Sequence, residues 1–563
     1  MRFEHIEYKR PNMEEFKNTF NKLLLNFNEV NDFEVENNLL LEINNLRVQF
    51  ESMEQIVYIR HTINTKDEFY EGEQGFFDEN RPEYDDLVSK FYKTLMKSNN
   101  MEKLKDRWGE QLFTIASLTI DTFSEDIIDD LKEENKLMSE YTKVLASASI
   151  EFNGEICNLS QMRPYQMSED RNTRKEASEA KYDFFKRNEE KLDTIYDNLV
   201  RVRTNMAKKL SYENFTPLGY KRMLRSDYTP HMVSAFRDEV LKYIVPFCTQ
   251  LREMQKEELG VDKLKYYDEL ITFKDGNAKL AGDSDYILKM GEKMYNELSP
   301  ETKVFFKHMV EKNCMDLNSK KGKSPGGYCT YIGNFNMPYI FSNFNGTIDD
   351  VDVLTHEAGH AFQVYESRKY DLVEYKFPTL DACEIHSMSM EFLTWPWMDF
   401  FFKEEAHKYR YGHLINSILF IPYGVLVDEF QHIIYNNPQM NPIDRKRIWR
   451  ELEKKYLPHR DYEDNEFLEK GSYWYQQGHI FKNPFYYIDY TLAQICAFQF
   501  WSKSNKNREE AWRDYVNLCK LGGSLYFLKL VQSAKLKSPF ERGVIEPIVH
   551  EIRNWINKNQ KKS

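Results

Sequence analysis

The sequence predicts a large, mostly α-helical protein in two lobes, with a small β-sheet. Three observations carry that prediction. Apolar residues recur at helical spacing through most of the chain. Strand signals are confined to two short stretches. At 563 residues the chain also exceeds one ordinary domain and can bury a large core. The expected division sets an N-terminal helical lobe at 1–200 against a second helical lobe at 201–563, the two interleaved.

Helical runs are expected at 35–62, 125–148, 169–209, 231–259, 284–313, 350–368, 380–395, 405–435, 463–480 and 485–503, with more up to 557. Many carry charges of mixed sign on one face, the mark of a solvated surface. Ile150 to Cys157 alternates around Asn153-Gly154 and reads as a β-hairpin. Gly327 to Asn345 reads as two short strands around Gly333-Asn334-Phe335-Asn336. There is no internal repeat and no low-complexity linker.

The net charge of −13, with no basic block, argues against a nucleic-acid partner. Met1 to Lys9 has no apolar core of a signal peptide, and no run approaches 18 apolar residues, so no membrane partner is expected. The seven cysteines are scattered, odd in number and without CxxC spacing, which fits a reduced cytoplasmic protein. Gly322-Lys323-Ser324 ends like a phosphate-binding loop, but Leu317 stands where its first glycine is required.

The chemistry concentrates at His356-Glu357-Ala358-Gly359-His360, an HExxH pentapeptide. On a helix, residues four apart leave the same face, so both imidazoles can hold one metal ion while Glu357 lies close enough to take a proton from attacking water. Roughly 3 in 100 random chains of this composition would contain the pattern, so its surroundings must decide. Thr347 and Asp349 offer N-caps, and Asp349, Asp350 and Asp352 place negative charge in the first turn. Val351, Leu354, Ala358, Ala361, Phe362 and Tyr365 form an apolar face that leaves the histidines and Glu357 off it. Gly359, costly in mid-helix, lets a backbone or a ligand approach.

A catalytic zinc takes three protein ligands and keeps one open position. Glu366 points away from the histidine face, and Glu374 falls in the loop Asp371–Pro378. Glu384 and Glu391 sit on the next helix, which is expected to start near Thr379 and stop at Pro396, and they share a face with Met388. Glu384 is therefore the expected third ligand, with Glu391 behind it orienting a liganding histidine. Cys383 reads as a buried free thiol. Hydrolysis also needs donors where the oxyanion grows. Gly478 to Tyr490 supplies His479, Tyr487 and Tyr490, the tyrosines three apart on a helix that begins after Pro484.

HEAGH, then Cys383-Glu384-Ile385-His386-Ser387, then a late histidine followed by Tyr-x-x-Tyr, resembles the thimet oligopeptidase/oligoendopeptidase F family of zinc peptidases, above all its bacterial Pz-peptidase-like members. Pro338 to Gly346 and Phe420 to His432 resemble that branch too. The resemblance is strong in the C-terminal half and rests on length and helical texture in the N-terminal half. It implies a two-lobed helical fold with a deep central channel and a small β-sheet beside the metal helix. It also implies one Zn2+ on His356, His360 and Glu384, Glu357 as general base, and His479, Tyr487 and Tyr490 on substrate and intermediate. Lys482-Asn483-Pro484 replaces the Gly-rich stretch of the mammalian branch, which leaves Tyr486 a rival in the tyrosine alignment.

The function expected is a zinc endopeptidase cutting internal bonds of short peptides. Pro338 to Asn345, with Tyr339, Phe341 and Asn343, is expected to receive the substrate backbone by strand addition. The alternatives are a peptidyl-dipeptidase or carboxypeptidase, which needs a cation for the substrate's terminal carboxylate, and a non-catalytic helical peptide-binding protein with a residual metal. The sequence specifies no oligomeric state.

Overall fold

The computed structural model describes residues 1–560. Helices dominate, with two small sheets: β1 (Ile150–Phe152) with β2 (Glu155–Cys157), and a three-stranded sheet of β3 (Met315–Asn318), β4 (Tyr328–Ile332) and β5 (Met337–Phe344). The first is the expected hairpin, turning through Asn153 at φ 51° and Gly154 at φ 80°, as a two-residue turn with both φ positive requires. In the second, β5 lies in the middle, parallel to β3 and antiparallel to β4. Strand β3 was not legible in the sequence, because four residues are too few for alternation to show.

Two hydrophobic clusters support this architecture. One joins Phe16, Phe50, Tyr84, Phe91 and Leu112 from the N-terminal helices to Leu372 and Tyr375 of the C-terminal half. The other, far larger, runs from Phe3 and Ile56 to Ile556 and includes Leu192 to Ala207. The helix Glu189–Lys209 that straddles position 200 thus packs into the larger cluster. The apolar stretch Leu380–Asn436 is long enough to cross a membrane by composition, but 67% of its most apolar window is buried inside the protein.

Several expected helices are cut. The run 169–209 divides at Asn188, and 284–313 divides at Ser299-Pro300, where Ser299 and Thr302 form a reciprocal cap. The run 463–480 is not one helix but three short turns, Glu466–Glu469, Tyr473–Gln476 and Gly478–Lys482. Gly471 breaks it at φ +97°, a region closed to most side chains, and a Cβ there would lie 1.9 Å from the Lys446 carbonyl oxygen.

Candidate metal and catalytic centre

The HExxH segment lies on the helix Asp349–Ser367. Its start departs from expectation: neither Thr347 nor Asp349 caps it. The Asp350 carboxylate instead accepts from the backbone N–H groups of Asn345 and Gly346, at 2.9 and 2.8 Å. Leu354, Ala358, Ala361 and Phe362 are fully buried, so the apolar face forms as read.

The second helix, Leu380–Leu393, crosses the first at Gly359. A Cβ on that residue would stand 2.6 Å from Ser387 Cα and 2.7 Å from the His386 carbonyl oxygen. This close approach is what carries Glu384 to the histidines. Glu384 Oε2 lies 3.2 Å from Nε2 of both His356 and His360, and the donor atoms of all three fall within 4.8 Å of one another. Two imidazole nitrogens and a carboxylate oxygen suit zinc, and no fourth cysteine, histidine or carboxylate joins them among the described residues.

Every atom of the Glu384 carboxylate is held. Tyr486 donates to Oε1 at 2.5 Å and the Ser387 hydroxyl to Oε2 at 2.8 Å. Glu391 stands behind His356, 2.7 Å from Nδ1 through one oxygen, and 2.9 Å from His413 Nε2 through the other. His413 is in turn reached by the Trp395 indole N–H at 3.2 Å. Sequence reasoning missed His413, since nothing in its spacing within the helix Ala406–Asn436 marks it. Glu357 is buried, burial raises its carboxyl above the usual range, and its Oε2 has no hydrogen-bond partner.

The competing carboxylates go elsewhere. Glu374 is tied to Arg47 at 2.5 Å and to the Tyr92 hydroxyl, and Glu366 lines an outer surface with Lys520.

His356, Glu357, His360 and Glu384 open into a cavity of about 690 Å³. Its walls combine Tyr58 and Tyr141 from the N-terminal half with Gly326 to Cys329 and His479, Tyr486 and Tyr490. His479 occupies the one-turn helix Gly478–Lys482. Burial, with Lys482 nearby, lowers its imidazole to about 4, so the ring is neutral at pH 7. Its tautomer follows from its neighbours. The Tyr423 hydroxyl donates to Gln477 Oε1 at 2.9 Å, which turns the Gln477 amide N–H onto His479 Nδ1 at 2.9 Å. The proton of the ring is then on Nε2, 3.2 Å from the Tyr490 oxygen, and Tyr490 keeps its own O–H to donate into the cavity.

Tyr487 is placed differently from the expectation. Its ring packs edge-on against Phe420 and Tyr423, and it is not among the residues lining the cavity. Tyr486 and Tyr490, four apart, face the site instead, because Tyr487 is the first residue of the helix Tyr487–Lys506 and points off that face.

Tyr339, Phe341 and Asn343 do not meet the cavity either. β5 is paired on both sides, so it has no free edge for a substrate strand. Tyr339 packs against Phe3, Phe341 stacks on Tyr328, and the Asn343 amide donates to the Ser324 and Gly326 carbonyls at 2.8 Å. The outer strands of the sheet are β3 and β4, and it is β4 whose Tyr328 and Cys329 line the cavity.

Comparison with known proteins places the chain and its fold. The family model described as the peptidase M3 N-terminal domain matches residues 3–123. The model described as peptidase family M3 matches residues 165–278 and 292–549. Oligopeptidase PepF of Bacillus subtilis (strain 168) is 24% identical over 377 residues, 65% of this chain and 54% of that protein. An oligoendopeptidase F homolog of Borreliella burgdorferi is 25% identical over 425 residues, 70% of this chain and 69% of its own length. The matches thus span about half to two-thirds of these curated relatives. Among solved structures, PZ peptidase A with an inhibitor is 54% identical at a TM-score of 0.99, covering 100% of both chains. A putative oligoendopeptidase F from Bacillus anthracis str. Ames is 50% identical at a TM-score of 0.94, covering 100% of this chain and 99% of that one.

Proposed function

The chain belongs to peptidase family M3, and from that membership we propose that it is a zinc-dependent endopeptidase that hydrolyses internal bonds of short peptides in the cytoplasm. The observation that carries the reading is the meeting of His356, His360 and Glu384 within 4.8 Å beside a buried Glu357 at the wall of a peptide-sized cavity. Zinc held by those three side chains would polarise the scissile carbonyl and acidify water at its open position.

The protein's own groups supply the rest. Glu357, with an unpartnered oxygen, takes the proton of the attacking water and hands it to the leaving nitrogen. Tyr490, with its O–H left free by the neutral His479, donates to the oxygen on which charge develops. Tyr486 and Ser387 hold Glu384, and Glu391 fixes the ring of His356, so the ligand set is preorganised. The open edge of β4 pairs with an extended peptide backbone, which tolerates many side chains. Walls drawn from both halves of the chain enclose the site and exclude folded proteins. The unpaired state of all seven cysteines fits a reducing compartment.

The test is mass spectrometry of digests of peptides of graded length, with blocked and unblocked ends, before and after chelation. Internal cleavage, lost with chelator and restored by Zn2+, is the expected result. Release of C-terminal dipeptides or single residues at every length would replace it with the exopeptidase reading, and binding without cleavage with that of a peptide-binding protein.

A further inference from the structure

The turn that joins the His479 helix to the tyrosine helix holds one residue in an uncommon backbone conformation. In Asn483-Pro484-Phe485-Tyr486 proline stands second, and the Tyr486 N–H donates back to the Asn483 carbonyl at 3.1 Å, the pattern of a type II β-turn. Such a turn needs positive φ at its third position, where glycine or asparagine is usual. Here the residue is Phe485, at φ 70°. A bulky side chain is a rare occupant of that region, and it persists there only where its surroundings over-determine it.

Both polar groups of the Phe485 backbone are held. Its N–H donates to Gln431 Oε1 at 2.8 Å, and its carbonyl accepts from Arg225 at 2.5 Å. Gln431 is fully buried on the helix Ala406–Asn436, and its own amide donates to the Val427 carbonyl at 3.3 Å, which turns Oε1 toward Phe485. Arg225 is fixed by Asp489 at 2.7 Å. The Phe485 ring is buried among Phe215, Tyr220, His432 and Tyr435. What the turn delivers is Tyr486, whose hydroxyl meets Glu384 Oε1 at 2.5 Å. Relaxation of Phe485 to negative φ would redirect the chain at that point and carry the hydroxyl away. Resting on the zinc-peptidase reading above, we propose that Gln431 and Arg225 are positioning residues, which keep Phe485 in its left-handed conformation and so aim the Tyr486 hydroxyl at the Glu384 carboxylate.

The test reads zinc affinity by competition titration with a chromophoric chelator, in variants whose fold is checked by circular dichroism. Tyr486→Phe removes only the hydroxyl that holds Glu384 and should weaken zinc about 10–100-fold. Gln431→Met is close to glutamine in size but cannot accept the Phe485 N–H, and it should weaken zinc by a similar factor. Gln431→Glu keeps an acceptor there and should keep the affinity. Because Gln431 acts through Tyr486, Gln431→Met added to Tyr486→Phe should cost nothing further, whereas independent effects would multiply. Arg225→Lys keeps a charge beside Asp489 but not the reach to the Phe485 carbonyl, and it gives the same comparison if Gln431→Met does not fold. Unchanged affinity in Tyr486→Phe overturns the proposal whatever the other variants do. So do unchanged affinity in Gln431→Met and Arg225→Lys, losses that multiply with Tyr486→Phe, or equal losses in Gln431→Met and Gln431→Glu. Peptide cleavage by the unsubstituted protein is scored separately. Zinc held with these dependences by a protein that cuts no peptide would remove the peptidase reading and leave the positioning role, and peptides cut by a protein whose zinc affinity ignores Gln431 and Arg225 would do the reverse.

Discussion

Glu357 and Tyr490 separate binding from chemistry, because neither is among the three residues proposed to hold zinc while both line the cavity. Glu357→Gln keeps size and hydrogen bonding but cannot accept a proton. We expect zinc content by mass spectrometry to stay at one per chain while kcat falls by about 10²–10⁴-fold. Tyr490→Phe removes one O–H, and kcat should fall on the order of 10²-fold with KM nearly unchanged. Tyr487→Phe is the internal control: its ring packs on Phe420 and Tyr423, so steady-state constants should barely move. A large kcat loss in Tyr487→Phe with none in Tyr490→Phe would reverse the assignment. Behind the ligands, Glu391→Ala should weaken zinc about 10–100-fold in a competition titration, since His356 loses the partner that sets its ring. His413→Ala acts one bond further out and should weaken zinc less than Glu391→Ala.

At the scale of elements, the centre depends on how closely two helices cross. Gly359 was legible as a place of close approach, and what approaches is the backbone of His386 and Ser387. Gly359→Ala forces the helices apart by a sizeable fraction of an ångström. Overpacking of this kind costs about 1–3 kcal/mol, visible in a denaturant melt, and it draws Glu384 away from both histidines. Zinc affinity should therefore fall together with stability, although no ligand has changed. The tyrosine helix shows the opposite case. Its start was readable only to within a residue, and one residue is 100° of rotation on a helix, enough to exchange Tyr487 for Tyr486 at the cavity. Side-chain spacing fixed that a tyrosine pair shares a face, not which pair faces the metal.

At the scale of the whole molecule, one buried network joins distant parts of the chain to the turn that carries His479. Glu134 is flanked by Arg203 at 2.6 Å and Arg222 at 2.7 Å, and Arg203 also donates to the Phe481 carbonyl at 2.6 Å, two residues past His479. Burial opposes ionisation of Glu134, but Arg222 and Arg203 overcome it and hold its carboxyl at about 2, below the usual 4.5. A carboxyl depressed in the fold contributes stability that is complete above its unfolded pKa and fades as pH falls from there toward the folded value. Glu134→Gln, which leaves buried arginines undercompensated, should cost about 3 kcal/mol near neutral pH. In denaturant melts, that gap should narrow as pH drops from about 4.5 toward 2. A gap independent of pH would mean that packing, not charge, is what Glu134 contributes.

The sequence by itself determined the helical class, the HExxH helix that sets His356 and His360 on one face, and the hairpin at Asn153-Gly154. These are local or motif properties, set by periodicity, turn chemistry and the requirement that two ligands four apart share a helix face. Only the tertiary structure decided that His413 backs Glu391, that Gln477 sets the tautomer of His479, and that β4, an outer strand, and not β5 lines the cavity. Each of those depends on which segments, far apart in the chain, come to lie side by side. Spacing along the chain carries no record of that, because it is settled by how whole helices pack into one core.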